Sequence, residues 1–196
     1  MRGWMTKAAP CGMACRMVAA ALPIRPATPA DSEGVAAIYA HHVRHGTASY
    51  DSEPRSVEST AQIIADHVAM GWPFLVAQGD GGILGYAYAT QFRPRDGYAW
   101  TCEDSVYVHP EALGRGIGTA LLDALVHAAT ASGFRQMVAV IGGASPTSIA
   151  LHRRAGFAQA GRLKSTGRKH GRWLDTVYMQ RALGEGDGTP PADETA

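Results

Sequence analysis

Cysteine is scarce in this chain, with three residues among 196, at positions 11, 15 and 102. An odd, sparse set cannot form a disulfide framework and suits a reducing compartment such as the cytoplasm. Cys11 and Cys15 are separated by three intervening residues with no second pair, so the spacing gives little support to a metal site. Charge of one sign is also lacking: 18 basic residues meet 17 acidic ones, a net charge of +1. Partners that present phosphate backbones select a basic excess, so nucleic acid is not expected. No apolar run approaches the roughly 20 residues that span a bilayer, so no membrane partner is expected either. The G-K-[ST] ending of a Walker loop is absent, and no internal repeat is found. What remains is 46% hydrophobic and 18% charged, a balance that supports a packed core and excludes global disorder. The length suits one domain with tails.

Both ends depart from that composition. In residues 1–21, Arg2 and Lys7 precede a small-residue stretch that resembles a secretory signal on the surface. Arg16 interrupts its apolar part, and the segment is read instead as a disordered extension. Residues 184–196 carry four acids, three glycines and two prolines. They offer too little apolar surface to offset the entropy of ordering and are expected to form a disordered acidic tail. The domain is therefore set at residues 22–183, where 15 bases face 13 acids for a net +2.

Inside those limits the pattern alternates. Ile24–Ala27 reads as a strand. Thr28, Pro29 and Asp31 form a helix start, with a hydroxyl cap, proline in the first turn and an acid three residues on. A helix to about His45 follows, then a second over about Ser56–Met70 that stops at Gly71. Pro73–Gln78 and Ile83–Gln91 flank Gly79-Asp80-Gly81-Gly82, a hairpin signal. Glu103–Val108 is a strand and Gly116–Ser132 a helix with apolar residues at 117, 121, 122 and 125. Met137–Ile141 suits a buried strand. A helix over about Pro146–Ala155 and strands around Phe157–Leu163 and Trp173–Arg181 complete the chain. This order predicts an α/β fold with one mixed sheet of about six or seven strands and about four helices.

The most informative stretch is Val106-Tyr107-Val108-His109-Pro110-Glu111-Ala112-Leu113-Gly114-Arg115-Gly116-Ile117-Gly118-Thr119-Ala120. It runs strand, glycine turn, amphipathic helix. Glycines let backbone N–H groups approach a ligand closely, and a helix start adds partial positive charge. Together they make a pyrophosphate cradle that needs no lysine. A dinucleotide fingerprint requires a third glycine where Thr119 stands, directly after a first strand. The alternative is a glycine-rich helix entry that holds no ligand.

Gly116-Ile117-Gly118, followed further on by Leu151-His152-Arg153-Arg154-Ala155-Gly156-Phe157, resembles the GNAT superfamily of acetyl-CoA-dependent N-acetyltransferases. Gly85-Tyr86-Ala87-Tyr88-Ala89, Tyr98–Val108, Val138-Ala139-Val140-Ile141-Gly142 and Lys169-His170-Gly171-Arg172-Trp173 are similar to its phosphinothricin acetyltransferase branch. The likeness covers residues 24–183. It implies acetyl-CoA held between two splayed parallel strands, Val106–Val108 and Met137–Ile141, with its pyrophosphate on the amides of Arg115, Gly116, Ile117, Gly118 and Thr119. Leu113 stands where the family usually has Gln or Arg, and Ser145 where it has an Asn that bonds the pantetheine arm. The family also implies a homodimer.

The resemblance assigns chemistry residue by residue. An ammonium has no lone pair with which to attack a thioester, so a base must take its proton. Glu103 matches the family's general base, and burial would raise its pKa toward usefulness. The plain alternative is a strand-end glutamate bonded to nearby backbone. Asp104 alternates to the opposite face and is the weaker candidate. His152 occupies the position where many relatives carry a tyrosine acid, and an imidazole there could protonate the departing sulfur; a packing histidine is the alternative. A backbone N–H of Tyr107 or Val108 would stabilise the oxyanion. Arg93, Arg95 and Tyr98 are candidates for the acceptor, since a guanidinium matches a carboxylate or phosphinate bidentately; a solvated basic loop is the alternative. Arg162, Lys164, Arg168, Lys169 and Arg172 face only Asp175 across residues 162–180 and read as a solvated run. His41 and His45 share a helix face without a third ligand, and no metal is expected. Cys102 has no adjacent base and reads as a small buried side chain. The implied activity is transfer of acetyl from acetyl-CoA to the α-amino group of a small amino-acid-like acceptor. A protein or peptide N-acetyltransferase and a non-catalytic CoA-binding module are the alternatives.

Overall fold

The computed structural model describes residues 22–191. The extension expected over residues 1–21, with Cys11 and Cys15, lies outside the described residues, as do residues 192–196. Seven strands and four α-helices follow in the expected order: β1 Ile24–Pro26, α1 Ser32–His45, α2 Val57–Ala69, β2 Phe74–Gly79, β3 Gly82–Gln91, β4 Thr101–Val108, α3 Ile117–Ala131, β5 Gln136–Gly142, α4 Pro146–Arg154, β6 Ala158–Lys169 and β7 Arg172–Ala182. The strands form one sheet in the order β1-β2-β3-β4-β5-β7-β6. Every neighbouring pair is antiparallel except β4 and β5. That single parallel pair is bridged by α3, the crossover that a parallel connection requires.

Strand alternation divides the core in two. Leu75, Ala77, Ala87, Ala89, Cys102, Met137, Ala139, Ile141, Val177 and Met179 face α3, whose Leu121, Leu122 and Leu125 are wholly buried. Their sheet neighbours Phe74, Val76, Tyr86 and Tyr107 point the other way, against Val35, Ile38, Tyr39 and Val43 of α1 and Ile64 of α2. Burial on both faces gives the sheet its near-continuous apolar runs. Ser56 caps α2 by accepting from Ser59 N–H at 3.1 Å, as its place before an apolar period predicts.

Two boundaries move. β6, expected to end near Leu163, runs on to Lys169 and forms a long hairpin with β7, because backbone pairing continues past two irregularities in register. The tail expected from Gly184 onward is held over its first part. Arg135 donates to the carbonyls of Gly186 and Thr189 at 2.9 Å, and Leu183 is buried. A half-buried guanidinium anchored on main-chain oxygens supplies what composition did not show.

Candidate active site

The parallel pair does not stay together. β4 and β5 are in register from Thr101↔Gln136 to Asp104↔Ala139 and no further. β4 continues against β3 to Gly85↔Val108, and β5 continues against β7 to Gly142↔Thr176. The strands thus part after Asp104 and leave a cleft between Ser105–Val108 and Val140–Gly142. The antiparallel alternation decides which groups line it. Phe92 N–H donates to Thr101 O and His109 N–H to Leu84 O, so the odd-numbered residues of β4 bond β3 and the even-numbered ones face β5. Val106 and Val108 therefore turn their peptide groups into the cleft. Tyr107 does not: its main chain is tied to β3 and its ring is buried against Tyr39 and Tyr86. The expectation that Tyr107 offers a cleft-facing amide fails on this alternation, and Val108 N–H is the donor of the two. The Val108 carbonyl is met from α1 by His42 Nε2 at 2.9 Å. Burial lowers the His42 pKa, which keeps the ring neutral with Nε2–H donating to that oxygen.

The glycine turn closes one end of the cleft. Gly114 and Gly116 have φ of +74° and +79°, a left-handed backbone that L side chains adopt only at a cost. This sharp turn delivers the chain into α3, whose first intrahelical bond is Ala120 N–H to Gly116 O. The amides of Ile117, Gly118 and Thr119 are consequently free of helical partners. A Cβ on Gly118 would lie 3.5 Å from Val108 Cγ2 and 3.7 Å from Leu151 Cδ2. The first turn of α3 thus sits between the end of β4 and α4. Arg115 and Leu113 are exposed beside it. Unpartnered amides, an open approach and the positive end of a helix fit a diphosphate. Ser145 caps α4, its Oγ 3.4 Å from Ser148 N, at the opposite lip.

Glu103 and Asp104 lie on opposite faces at the point of divergence. Glu103 shares the α1/α2 face with Thr90 and Val138. Burial raises its pKa, opposed by Arg93 and assisted by the neighbouring Asp104 charge. Arg93 packs its guanidinium 4.3 Å from the Phe92 ring, and Tyr98 meets the same ring edge-on at 5.7 Å. Arg95 is on the same connection but exposed, and Gln91 pins the segment by donating to the Arg93 and Arg95 carbonyls. Of the three expected acceptor residues, Arg93 is brought into electrostatic reach of Glu103.

On the other face, Asp104 Oδ2 lies 3.0 Å from His152 Nε2, and the side chains are 2% and 5% exposed. His152 Nδ1 is 2.8 Å from the Ser148 carbonyl, and its ring packs on Phe157 at 5.1 Å. Alternation correctly separates Asp104 from Glu103 but says nothing of what Asp104 meets. Its partner lies 48 residues away on a helix, and no local signal marks that contact.

The α1/α2 side of the cleft is walled by the loop after α1. Tyr50 Oη bonds Thr176 Oγ1 at 2.8 Å and receives Gly143 N–H at 3.2 Å. Lys169 donates to Ser49 O at 2.7 Å, so one member of the basic run folds inward while Arg162 pairs with Asp175 at 2.6 Å. Arg55, which sequence reasoning passed over, lies 4.4 Å over the Tyr39 ring. Cys102 is fully buried, and burial pushes its thiol well up, which suits a packing role and not a nucleophile. Among the described residues no group of His, Cys, Asp and Glu could hold a metal, and no helix is long and apolar enough to cross a membrane.

A mixed sheet whose single parallel pair splits beside a glycine turn at a helix N-terminus defines an acyl-CoA N-acyltransferase. Residues 24–178 match the acetyltransferase (GNAT) domain model, and the chain belongs to the GNAT family of N-acetyltransferases. It is 49% identical over 162 residues to a phosphinothricin N-acetyltransferase of Alcaligenes faecalis, covering 82% of each chain. An L-methionine sulfoximine/L-methionine sulfone acetyltransferase of Pseudomonas aeruginosa is 40% identical over 161 residues, which are 82% of this chain and 94% of that one. A GNAT superfamily phosphinothricin acetyltransferase from Sinorhizobium meliloti, solved in complex with AcCoA, superposes with a TM-score of 0.86. It is 49% identical, and the match covers 89% of this chain and 95% of that one.

Proposed function

We propose that this enzyme transfers acetyl from acetyl-CoA to the α-amino group of a small amino-acid-like acceptor of the phosphinothricin and methionine sulfone class, in the cytoplasm and as a homodimer. The observation that carries the reading is a half-buried carboxyl, Glu103, beside the split of β4 and β5 and within the field of Arg93. The relatives' acceptors are amino acids with a negatively charged or strongly polar end, which matches a guanidinium near the base. The homodimer rests on family likeness, and the compartment on the scarcity of cysteine.

Acetyl-CoA supplies an activated acyl carbon and a thiolate leaving group. Ile117, Gly118 and Thr119 hold its diphosphate through their amides, with Gly116 setting the turn, Arg115 adding charge and Ser145 bounding the far lip. Val106 and Val108 hold the arm in the cleft, and Val108 N–H donates to the acyl oxygen as charge develops there. Glu103, poised by burial, accepts a proton from the acceptor ammonium, directly or through water. Arg93, with Arg95 and Tyr98 on the same connection, holds the acceptor's anionic end. His152 returns a proton to the sulfur. Direct attack follows from the family likeness and because Cys102, the one thiol among the described residues, is buried and held protonated.

The test is CoA release from acetyl-CoA, read with a thiol reagent, across a panel of amino-acid analogues and short peptides. Rapid release with phosphinothricin or methionine sulfone, lost in Glu103→Gln, is the expected result. Release with peptides alone would make the protein a peptide N-acetyltransferase. Tight acetyl-CoA binding without release to any acceptor would favour a CoA-binding module.

A further inference from the structure

His67 of α2 is tied to the strand that faces Glu103. Its Nδ1 lies 2.7 Å from the Ile63 carbonyl, an oxygen that can only accept, so Nδ1 carries hydrogen. Its Nε2 lies 3.0 Å from Thr90 Oγ1. The residue is 6% exposed, and the rings of Trp72, Phe74 and Tyr88 meet it edge-on with centroids 6.0, 5.4 and 5.2 Å away. Burial lowers the His67 pKa and Arg55 acts the same way, against the Ile63 carbonyl and Asp66. The Asp66 carboxylate is itself bonded by Gln62 at 2.8 Å. A neutral ring with hydrogen on Nδ1 keeps a lone pair on Nε2, so the Thr90 hydroxyl donates to it.

That bond fixes what Thr90 has left to offer. It is the one hydrogen bond its hydroxyl makes to protein among the described residues, and with the hydrogen committed only oxygen lone pairs remain. Thr90 is the register partner of Glu103, on the same face of the sheet. The two form a hydrogen-bonded pair, since the odd-numbered residues of β4 bond β3, which sets their Cα atoms about 5.5 Å apart. Both are half-buried. β3 ends one residue after Thr90, and the connection that carries Arg93 and Tyr98 begins there. A carboxylate and an acceptor-only oxygen thus stand opposite each other beside a guanidinium. This arrangement fits the amino end of an acceptor whose other end is an anion.

We propose that Thr90 binds the acceptor's amino group opposite Glu103, its oxygen taking one N–H of a primary amine while His67 holds its hydroxyl hydrogen away. The proposal rests on the acetyl-transfer reading above. When the ammonium has given one proton to Glu103, two N–H groups and one lone pair remain on nitrogen. Glu103 accepts from one N–H and Thr90 from the other, so the lone pair is the one direction left free for the acyl carbon. As the C–N bond forms, nitrogen gains positive charge and both hydrogen bonds strengthen. Thr90 touches the substrate, and His67 is a positioning residue that acts through it. A secondary amine keeps a single N–H after deprotonation and has nothing to give Thr90, so the pair selects primary amines.

The experiment measures CoA release with methionine sulfone and with its N-methyl form, for the wild type, Thr90→Val, Thr90→Ser, His67→Phe and the double variant Thr90→Val/His67→Phe. Nitrogen NMR of the histidine rings accompanies it. In the wild type at pH 7.5, His67 is expected to carry hydrogen on Nδ1 alone. Thr90→Val keeps the side chain's shape and removes the oxygen. With the primary amine its kcat/KM should fall about 10- to 100-fold, the worth of one hydrogen bond to a group gaining charge. With the N-methyl acceptor it should change little, while KM for acetyl-CoA and the melting temperature hold. Thr90→Ser, which restores the oxygen, should recover most of the loss. His67→Phe keeps a ring in the aromatic cage and frees the Thr90 hydroxyl to turn. It should show the same selective loss, and the double variant should be no slower than Thr90→Val, because His67 acts through Thr90. Equal losses with both acceptors, no loss in Thr90→Val, effects that multiply in the double variant, or hydrogen on Nε2 of His67 would each overturn the proposal alone. A wild type that acetylates no amine would overturn the proposed function and this assignment with it.

Discussion

Gly116→Ala separates the backbone cradle from simple packing. A Cβ there would meet no atom within 4 Å, so the cost is conformational and not steric. At φ +79° an L residue is strained by about 1–2 kcal/mol, partly offset by about 0.4–1 kcal/mol from a less flexible unfolded chain. The net, about 1 kcal/mol, lowers the melting temperature by about 2–4 °C for a domain of this size. Function is hit harder. The chain relieves the strain by rotating the peptide that carries Ile117 N–H, and one amide bond to a charged phosphate is worth about 1.5–3 kcal/mol. Calorimetric titration with CoA should then show affinity falling about 10- to 100-fold. Gly116→Asn, which tolerates the left-handed region better, should recover part of the loss. Gly118→Ala is the control: its Cβ would make only ordinary contacts, at 3.5 and 3.7 Å, and Ala outranks Gly in a helix, so stability should hold or rise. CoA affinity unchanged in Gly116→Ala, with the melting temperature lowered as expected, would refute a phosphate site on these amides.

Further outcomes follow from the same geometry. Glu103→Gln should cut kcat/KM by about 10²- to 10⁴-fold and abolish its rise with pH in initial-rate assays, since the base works only once deprotonated and burial moves that rise above the ordinary glutamate range. Gly167→Ala would set a Cβ 2.5 Å from the Tyr50 ring and swing it off Thr176; KM for the acceptor should rise while KM for acetyl-CoA holds. Leu125→Ala, at a wholly buried position, should cost about 3–5 kcal/mol in denaturant titrations. The Asp31 carboxyl, bonded by Arg25 at 2.7 and 2.8 Å, has its pKa lowered to about 2. A depressed folded-state pKa stabilises above the unfolded value near 4 and is lost as pH falls toward 2. Wild type should therefore exceed Asp31→Asn by about 1–2 kcal/mol at pH 7, after allowance for the exposed Arg25, and the gap should close at pH 2.

Local chemistry determined the elements of this protein. A hydroxyl, a proline and an acid start the first helix, a glycine-rich turn links β2 to β3, and leucines at helical spacing make α3. Each works through residues a few positions apart, so the sequence alone declares it. The glycine turn and Glu103 were legible for the same reason, helped by motifs that resemble a known family. Three features required the tertiary structure. The parting of β4 from β5 after Asp104 arises because each strand keeps its other neighbour, and pairing is a competition among distant segments. The exclusion of Tyr107 from the cleft follows from the register with β3, where a shift of one residue would exchange every inward and outward group. The joining of Asp104 to His152 depends on α4 packing over β4, with nothing in either segment to announce the other. Spacing along a strand tells which residues share a face, and only packing tells what that face meets.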